Sequence, residues 1–232
     1  TEGVIPDPLF DADFLHEIYV KADPHFSGRV TVPVLWDKKE NTIVNNESRE
    51  IIRMFSDAFK GLSRTEVDLA PEALRAQIDD AIDAIYEPIN NGVYRCGFAG
   101  TQEAYDRAYG ELFEALEHWD GVLGERRYLA GDRLTEADLC MFTTLVRFDP
   151  VYYVHFKCSE KHIFQYDNLF NYMLEIYQLP GVAETVNLDH IRNHYYRSHP
   201  SINPTRFVPQ GPTLDLSRPH DRDRLEGKPL RA

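Results

Sequence analysis

The 232-residue chain lacks three features that would each point to a class of protein. No apolar run approaches the roughly 20 residues that a helix needs to cross a bilayer, so we expect no membrane span. The three cysteines are too few and too scattered for a disulfide framework or a thiolate zinc site, which favours a reducing, cytoplasmic compartment. Positive charge is outweighed, since 25 Lys and Arg stand against 38 Asp and Glu. The resulting charge of −13 argues against a nucleic-acid binder.

What is present is an ordinary globular composition, with 43% hydrophobic and 27% charged residues. The length allows one large domain or two small ones. The chain opens with Thr1 rather than Met, and its first residues are acidic instead of basic and apolar. We therefore expect no secretory signal.

Residues 1–63 predict a mixed α/β domain. A short helix around residues 14–18 precedes a strand at Arg29–Trp36, which is rich in β-branched residues. Ile43–Val44 predicts the second strand of a hairpin, after a polar turn. Asn45–Ser48 then supplies residues typical of a helix start.

Residues 70–232 predict an all-helical domain with an irregular C-terminal extension. Thr135, followed by Asp138, resembles a capping box at the clearest helix start. Prolines recur after residue 197 and forbid long helices there, and the charged residues from Arg218 onward are expected to be mobile. Apolar residues at three- and four-residue spacings predict helices at roughly 71–89, 101–122, 135–155, 165–178 and 183–196.

Pro33 stands inside the predicted strand. Proline cannot donate a hydrogen bond to a neighbouring strand, so this strand belongs at the edge of a sheet. A cis Val32–Pro33 bond would turn the N–H and C=O of Val32 outward, ready to pair with an extended peptide. Because only about 5–6% of such bonds are cis, the local sequence predicts a trans bond.

The start of the next helix is a candidate site for a ligand that carries both a carboxylate and an ammonium group. Free backbone N–H groups and the helix dipole favour a carboxylate near Ser48, while Glu47 can meet an ammonium group. Alone, this is a common helix cap. A proline-bearing strand, a hairpin and a capped helix follow one another here, as in the second half of a thioredoxin-like domain that binds a γ-glutamyl tripeptide.

Longer stretches make the resemblance specific. Between about residues 14 and 212 the sequence resembles the xi-class glutathione transferases, that is, the glutathionyl-hydroquinone reductases. Ordinary glutathione transferases share only the Val-Pro, Glu-Ser and Thr-x-x-Asp pieces. The stretches that carry the resemblance are HEIYVKADPHFSGRVTVPVLWDKKENTIVNNESREIIRMF, INNGVYRCGFAGTQEAY, GERRYLAGDRLTEADLCMFTTLVRFDPVYYVHFKC, NLFNYMLEIYQLPGV and HIRNHYYRSHPSINPTRFVPQGP.

The resemblance implies the glutathione-transferase architecture, with a partial thioredoxin-like domain at residues 1–63 and a helical domain at 70–232. It also implies that Glu47 and Ser48 hold the γ-glutamyl end of glutathione. The peptide backbone of glutathione would pair with Val32, within a binding segment made of Arg29, Val30, Thr31 and Val32.

The same resemblance implies functional roles for three tyrosines. Tyr94 corresponds to the family's proton donor and acceptor. Tyr152 and Tyr195 correspond to tyrosines that support the active cysteine thiolate and line the hydroquinone pocket. The chemistry is sound, because a phenol can hydrogen-bond to a thiolate or give a proton to a departing phenolate.

The resemblance implies a homodimer that reduces glutathionyl-hydroquinones through a cysteine–glutathione mixed disulfide, with glutathione as co-substrate. The family's nucleophile lies in a Cys-Pro-Trp-Ala-like motif, which residues 1–232 do not contain. We therefore expect this chain alone to be inactive. Cys96, near Tyr94, is interpreted as a small residue beside the pocket, because nothing in the sequence indicates a depressed thiol pKa.

Two other functions stay open on the sequence. One is a non-catalytic module that binds glutathione or an aromatic ligand, and the other is an ordinary transferase that conjugates glutathione to electrophiles. A metal site is not expected, because His190 and His194 share a helix face without a third ligand nearby in sequence.

Overall fold

The computed structural model of the protein describes residues 3–63 and 66–227. The chain divides into two compact units, Thr1–Glu66 and Val67–Ala232, named here the N-terminal and the C-terminal unit. Across the described residues, no helix combines the length and the apolar character that crossing a membrane requires.

The N-terminal unit is built around the hairpin that the sequence predicts. The two strands pair antiparallel, with Trp36 opposite Ile43 and Asp37 opposite Thr42. Asn41, in the turn between them, has a φ of 55°, a left-handed conformation that asparagine tolerates. The elements of the unit are α1 (Leu15–Ala22), β1 (Leu35–Asp37), β2 (Thr42–Asn45) and α2 (Ser48–Ser56).

The prediction of a long strand at Arg29–Trp36 is wrong. Only its end belongs to β1, which begins at Leu35. The reason lies at Thr31, whose carbonyl accepts a hydrogen bond from the Tyr19 hydroxyl at 2.8 Å and whose N–H donates to the same oxygen at 3.3 Å. A side chain thus takes the backbone groups that a strand would need. The Val32–Pro33 bond is cis, where the local sequence predicts trans.

The C-terminal unit consists of helices, as predicted. The last predicted helix begins later than expected, at Leu188, because residues 183–185 form a separate 3₁₀ turn. The short helix α4 was not predicted. The helices are α3 (Arg75–Ile85), α4 (Gly92–Gly97), α5 (Gln102–Glu125), α6 (Glu136–Arg147), α7 (Tyr153–His155), α8 (Asp167–Tyr177) and α9 (Leu188–Ser198).

Two π-helical turns interrupt helices that the sequence predicts to be continuous. They span Tyr86–Asn90 and Phe148–Tyr152, and each contains a proline, Pro88 or Pro150. Proline lacks an N–H and clashes with the preceding turn of an α-helix, which a wider turn relieves. Such turns are frequent at functional sites. Here one precedes α4, and the other ends at Tyr152.

The capping box predicted at the start of α6 is confirmed. The Asp138 carboxylate accepts hydrogen bonds from the N–H and the hydroxyl of Thr135, at 2.7 and 3.0 Å. It also accepts from the Leu129 N–H and the Tyr172 hydroxyl, at 2.9 and 2.8 Å. One carboxylate therefore joins α6 to the preceding loop and to α8. Burial raises the pKa of Asp138, although these hydrogen bonds oppose the shift.

The expectation that the residues from Arg218 onward are mobile is wrong at Arg222. This side chain is 0% exposed, and its guanidinium donates to the carbonyls of Leu123, Arg126 and Arg127 at 2.6 to 2.8 Å. These carbonyls lie at the end of α5, where a helix leaves its last acceptors unsatisfied. Arg222 therefore anchors the C-terminal extension to α5. The part of this prediction that falls on residues 228–232 lies outside the described residues.

Candidate active site

In the N-terminal unit, one asparagine joins the segment before Pro33 to the start of α2. The Asn46 amide donates to the Tyr19 hydroxyl and to the Thr31 Oγ1, both at 3.0 Å. Val32 and Glu47 directly follow the two residues joined in this way, so the predicted peptide edge and the predicted helix-start site are neighbours. The sequence indicates Asn46 only as part of the helix start and gives no role to Tyr19, because the partners of both residues lie far away along the chain.

The residues predicted to hold glutathione present their groups to the surface of this unit. Val32 is 75% exposed, and no hydrogen bond within the described residues occupies its backbone. Glu47 is the exposed N-cap of α2, and its side chain does not cap the helix. The Asn45 side chain accepts the Glu47 N–H at 2.7 Å, which fixes the entry into the helix. Glu47 is thus held at the start of α2 with its side chain exposed, and Ser48 beside it is exposed as well.

In the C-terminal unit, the three predicted tyrosines converge. The Tyr94 hydroxyl lies 2.5 Å from that of Tyr195 and 3.4 Å from that of Tyr152. Tyr152 and Tyr195 are 3.0 Å apart through their hydroxyls. The latter two are 2% and 7% exposed, whereas Tyr94 is half-buried. We name these three residues the tyrosine cluster.

A close approach between α4 and the Phe156 ring brings Tyr94 to the cluster. A Cβ added to Gly97 would lie 2.1 Å from Phe156, so only glycine allows this packing. The Phe156 ring stacks on that of Tyr152, with centroids 5.4 Å apart and an interplanar angle of 11°. Tyr94, one turn before Gly97 on α4, is thereby held against Tyr152.

The tyrosine cluster leaves the hydroxyl proton of Tyr94 available for transfer. Burial, together with the neighbouring tyrosines, raises the pKa of Tyr152 and of Tyr195 above the usual value, so both stay protonated and can donate. Both hydroxyls lie within hydrogen-bond distance of the Tyr94 oxygen. Tyr195 can accept from Tyr152 at 3.0 Å and donate its own hydrogen to Tyr94, so the Tyr94 O–H remains available to a molecule at the half-buried side. The Tyr195 hydroxyl can also hydrogen-bond to the Tyr94 oxygen after that proton leaves.

Comparisons with known proteins place the chain in a family. Residues 102–175 match the family model "Glutathione S-transferase, C-terminal domain". The chain is 56% identical to the glutathionyl-hydroquinone reductase YqjG of Escherichia coli (strain K12), over 95% of this chain and 67% of that protein. The structure described as a xi-class transferase from Natrialba magadii is 57% identical, with a TM-score of 0.96 over 98% of this chain and 71% of that one. This chain belongs to the xi-class glutathione transferases.

A solved member of the xi class also carries a ligand. The glutathione-bound structure of YqjG matches this chain with a TM-score of 0.93 and 56% identity, over 96% of this chain and 73% of that one. The architecture predicted from the resemblance, a partial thioredoxin-like domain followed by a helical domain, is therefore confirmed.

None of the three cysteines of this xi-class chain forms a disulfide bond. Cys96 and Cys158 are buried, whereas Cys140, on α6, is half-buried. A hydrogen bond from the Cys158 thiol lowers the pKa of Cys96, although burial opposes this shift. Burial keeps the Cys96 sulfur out of contact with a ligand from solution, so it lacks the access that a nucleophile needs.

Within residues 3–63 and 66–227, no group of three or more His, Cys, Asp or Glu side chains is arranged to hold a metal ion. His190 and His194 both lie on α9 of this xi-class protein, as the sequence predicts. His194 faces Tyr195 and His199 through ring contacts at 5.3 and 6.1 Å.

Proposed function

We propose that the protein reduces glutathionyl-hydroquinones to hydroquinones, with glutathione as co-substrate. The observation that carries this proposal is the tyrosine cluster, in which the buried Tyr195 hydroxyl can accept from Tyr152 and donate to Tyr94, which leaves the Tyr94 proton available. Family membership supports it, because a relative of 56% identity bears the name of that reductase. Aromatic walls around a phenolic donor also suit a flat quinol ring.

The reaction balances with these groups and the cysteine of the family's motif. That thiolate attacks the sulfur that joins glutathione to the quinol ring, forming a cysteine–glutathione disulfide and breaking the carbon–sulfur bond. The electron pair of the broken bond passes to the ring, which takes a proton from Tyr94. A second glutathione thiolate then attacks the mixed disulfide, releasing oxidised glutathione and the free cysteine. The proton lost by this second thiol balances the one that Tyr94 gave.

Glutathione is assigned to the N-terminal unit. Its extended backbone pairs with the N–H and C=O of Val32, along the segment from Arg29 to Val32. Its γ-glutamyl carboxylate rests on the N–H groups at the start of α2, beside Ser48, and its ammonium group meets Glu47. The hydrogen bond from the Asn46 amide to Thr31 supports this assignment, because it holds both contact points in one fixed arrangement.

The test compares two forms of the protein. We expect residues 1–232 alone to bind glutathione without releasing hydroquinone, since they lack the nucleophile. A form that carries the Cys-Pro-Trp-Ala-like motif ahead of these residues should reduce a glutathionyl-hydroquinone with one oxidised glutathione formed per turnover. Chromatography of hydroquinone and oxidised glutathione measures both products.

Each contrary result of this comparison has a definite meaning. Saturable reduction by residues 1–232 would contradict the assigned nucleophile, and its loss in Cys96→Ser would assign the step to Cys96. Binding of glutathione without turnover in the motif-bearing form would favour the binding module. Conjugation of an electrophile without reduction would favour an ordinary transferase.

Replacing Glu47 by glutamine should weaken glutathione binding by about 10-fold, because a charged partner of the ammonium group is lost, equivalent to about 1.4 kcal/mol. Ser48→Ala should weaken it less. Isothermal titration calorimetry on residues 1–232 measures both effects. Glu40→Gln, an exposed carboxylate in the turn of the hairpin, is the matched control. Equal affinity in Glu47→Gln and Glu40→Gln would remove Glu47 from the site.

We further propose that the protein acts as a homodimer in the cytoplasm. The dimer is taken from the resemblance to the xi class. The location is supported by the three free cysteines, since thiols persist where the compartment is reducing.

A further inference from the structure

A pair of histidines joins α7 to the end of α9, beside the tyrosine cluster. The Nε2 atom of His155 lies 3.0 Å from the Nδ1 atom of His199. His155 is 4% exposed, and His199, which directly follows α9, is half-buried. A polar ring atom buried without a partner destabilises the folded state. This contact gives the buried His155 nitrogen its hydrogen-bond partner.

The spacing of the two histidines repeats that of two tyrosines. His155 follows Tyr152 by three residues and His199 follows Tyr195 by four, so each histidine lies about one helical turn beyond its tyrosine. The hydroxyls of Tyr152 and Tyr195 are 3.0 Å apart, as are the two histidine nitrogens. Two polar contacts, one turn apart, therefore join the same two helical segments.

Ring packing connects the histidine pair to Tyr195. The His199 ring stands edge-on to the Tyr195 ring, with centroids 5.7 Å apart, and it lies nearly parallel to the His155 ring, edge to edge, with centroids 5.3 Å apart. The next residue on α9, Tyr196, reaches the carbonyls of Pro150 and Val151 only through longer contacts of 3.4 Å. Of the polar contacts that the end of α9 makes with residues 150–155, the histidine contact is the shortest.

We propose that the hydrogen bond between His155 and His199 is a positioning device, which holds the end of α9 so that the Tyr195 hydroxyl reaches Tyr94. Without it, the last turn of α9 keeps the longer contacts of Tyr196 but loses its shortest polar link to α7. The donor that Tyr195 offers to the Tyr94 oxygen would then be lost, and with it part of the stabilisation of a Tyr94 phenolate.

The pair acts as two neutral rings. Burial, and then the positive charges of His199 and Lys157, lower the pKa of His155 to about 4. Burial and the charge of His194 lower the pKa of His199 as well. At neutral pH, one ring N–H therefore donates and the other ring nitrogen accepts.

The test uses a single 3-fluorotyrosine at position 195 of residues 1–232, observed by ¹⁹F NMR. His199 is the residue to change, because it is half-buried and its replacement leaves the core filled. In His199→Leu we expect the position-195 resonance to move toward that of free fluorotyrosine or to broaden. In His199→Asn, which places a polar atom where Nδ1 stood, we expect it to stay near the wild-type position. His118→Leu, an exposed histidine on α5, should leave it unchanged.

Two outcomes would overturn the proposal: an unchanged resonance in a folded His199→Leu, or equal displacement in His199→Leu and His199→Asn. A second measurement rests on the proposed function. In the motif-bearing form, His199→Leu should lower kcat by up to about 100-fold with little change in KM, and His199→Asn should recover most of it. If the wild-type form shows no turnover at all, the proposed function fails, while the NMR result still decides the positioning role.

Discussion

Tyr94→Phe is expected to lower the turnover of a glutathionyl-hydroquinone by about 100- to 10,000-fold in the motif-bearing form, the range over which a positioned acid contributes. The variant removes the Tyr94 hydroxyl from the tyrosine cluster and with it the proton that the departing quinol ring takes. The ring of residue 94 still fits against Phe156, since their centroids lie 5.3 Å apart and that contact does not involve the hydroxyl. Steady-state kinetics across neutral pH measures the loss.

The loss should fall on kcat and spare the affinity for glutathione, which is assigned to the N-terminal unit. Tyr86→Phe is the matched control, because Tyr86 is an exposed tyrosine of the same unit as Tyr94, in the π-helical turn that precedes α4. Turnover of Tyr94→Phe equal to that of Tyr86→Phe would exclude Tyr94 as the proton donor. A lowered glutathione affinity in Tyr94→Phe would instead assign it to binding.

The sequence predicts Tyr94 by resemblance, but it does not predict the arrangement that leaves its proton available. Tyr94 and Tyr195 are 101 positions apart, and their contact depends on two π-helical turns and on the packing of Gly97 against Phe156. Periodicity places residues on helix faces, whereas a π turn shifts the face and leaves only a proline as its signal. Pro88 and Pro150 are that signal, inside helices predicted to be continuous.

Local sequence patterns predict an element correctly where its hydrogen-bond partners are near each other in sequence. The hairpin and the capping box at Thr135 are confirmed because their hydrogen bonds close within a few residues. The strand predicted at Arg29–Trp36 fails because Tyr19, twelve residues before Thr31, takes the backbone groups of that residue. Local patterns also fail to predict the burial of Arg222, because its hydrogen-bond acceptors lie 95 to 99 positions away. No pattern in the charged C-terminal segment distinguishes it from an exposed arginine.

Arg222→Met is therefore expected to destabilise the C-terminal unit by about 3–5 kcal/mol, as does breaking other buried charged contacts. Methionine fills much of the same space, so the loss reports hydrogen bonds more than a cavity. Three carbonyls at the end of α5 lose their donor, and each buried acceptor left without a partner costs about 1–3 kcal/mol. Glu175 is not left without a partner, because it keeps hydrogen bonds from Arg127 and Tyr128, both at 2.8 Å. Urea unfolding followed by far-UV circular dichroism measures the change.

Arg224→Met provides the matched control, because it differs from Arg222 mainly in burial. Arg224 also donates to a carbonyl near the end of α5, that of Gly124 at 3.0 Å, but its side chain is 42% exposed. Water replaces the lost partner there, so the expected change is within about 1 kcal/mol. If the two variants unfold at the same urea concentration, burial of Arg222 contributes nothing beyond a surface contact. If Arg222→Met alone unfolds early, the C-terminal segment is part of the folded unit rather than an appendage to it.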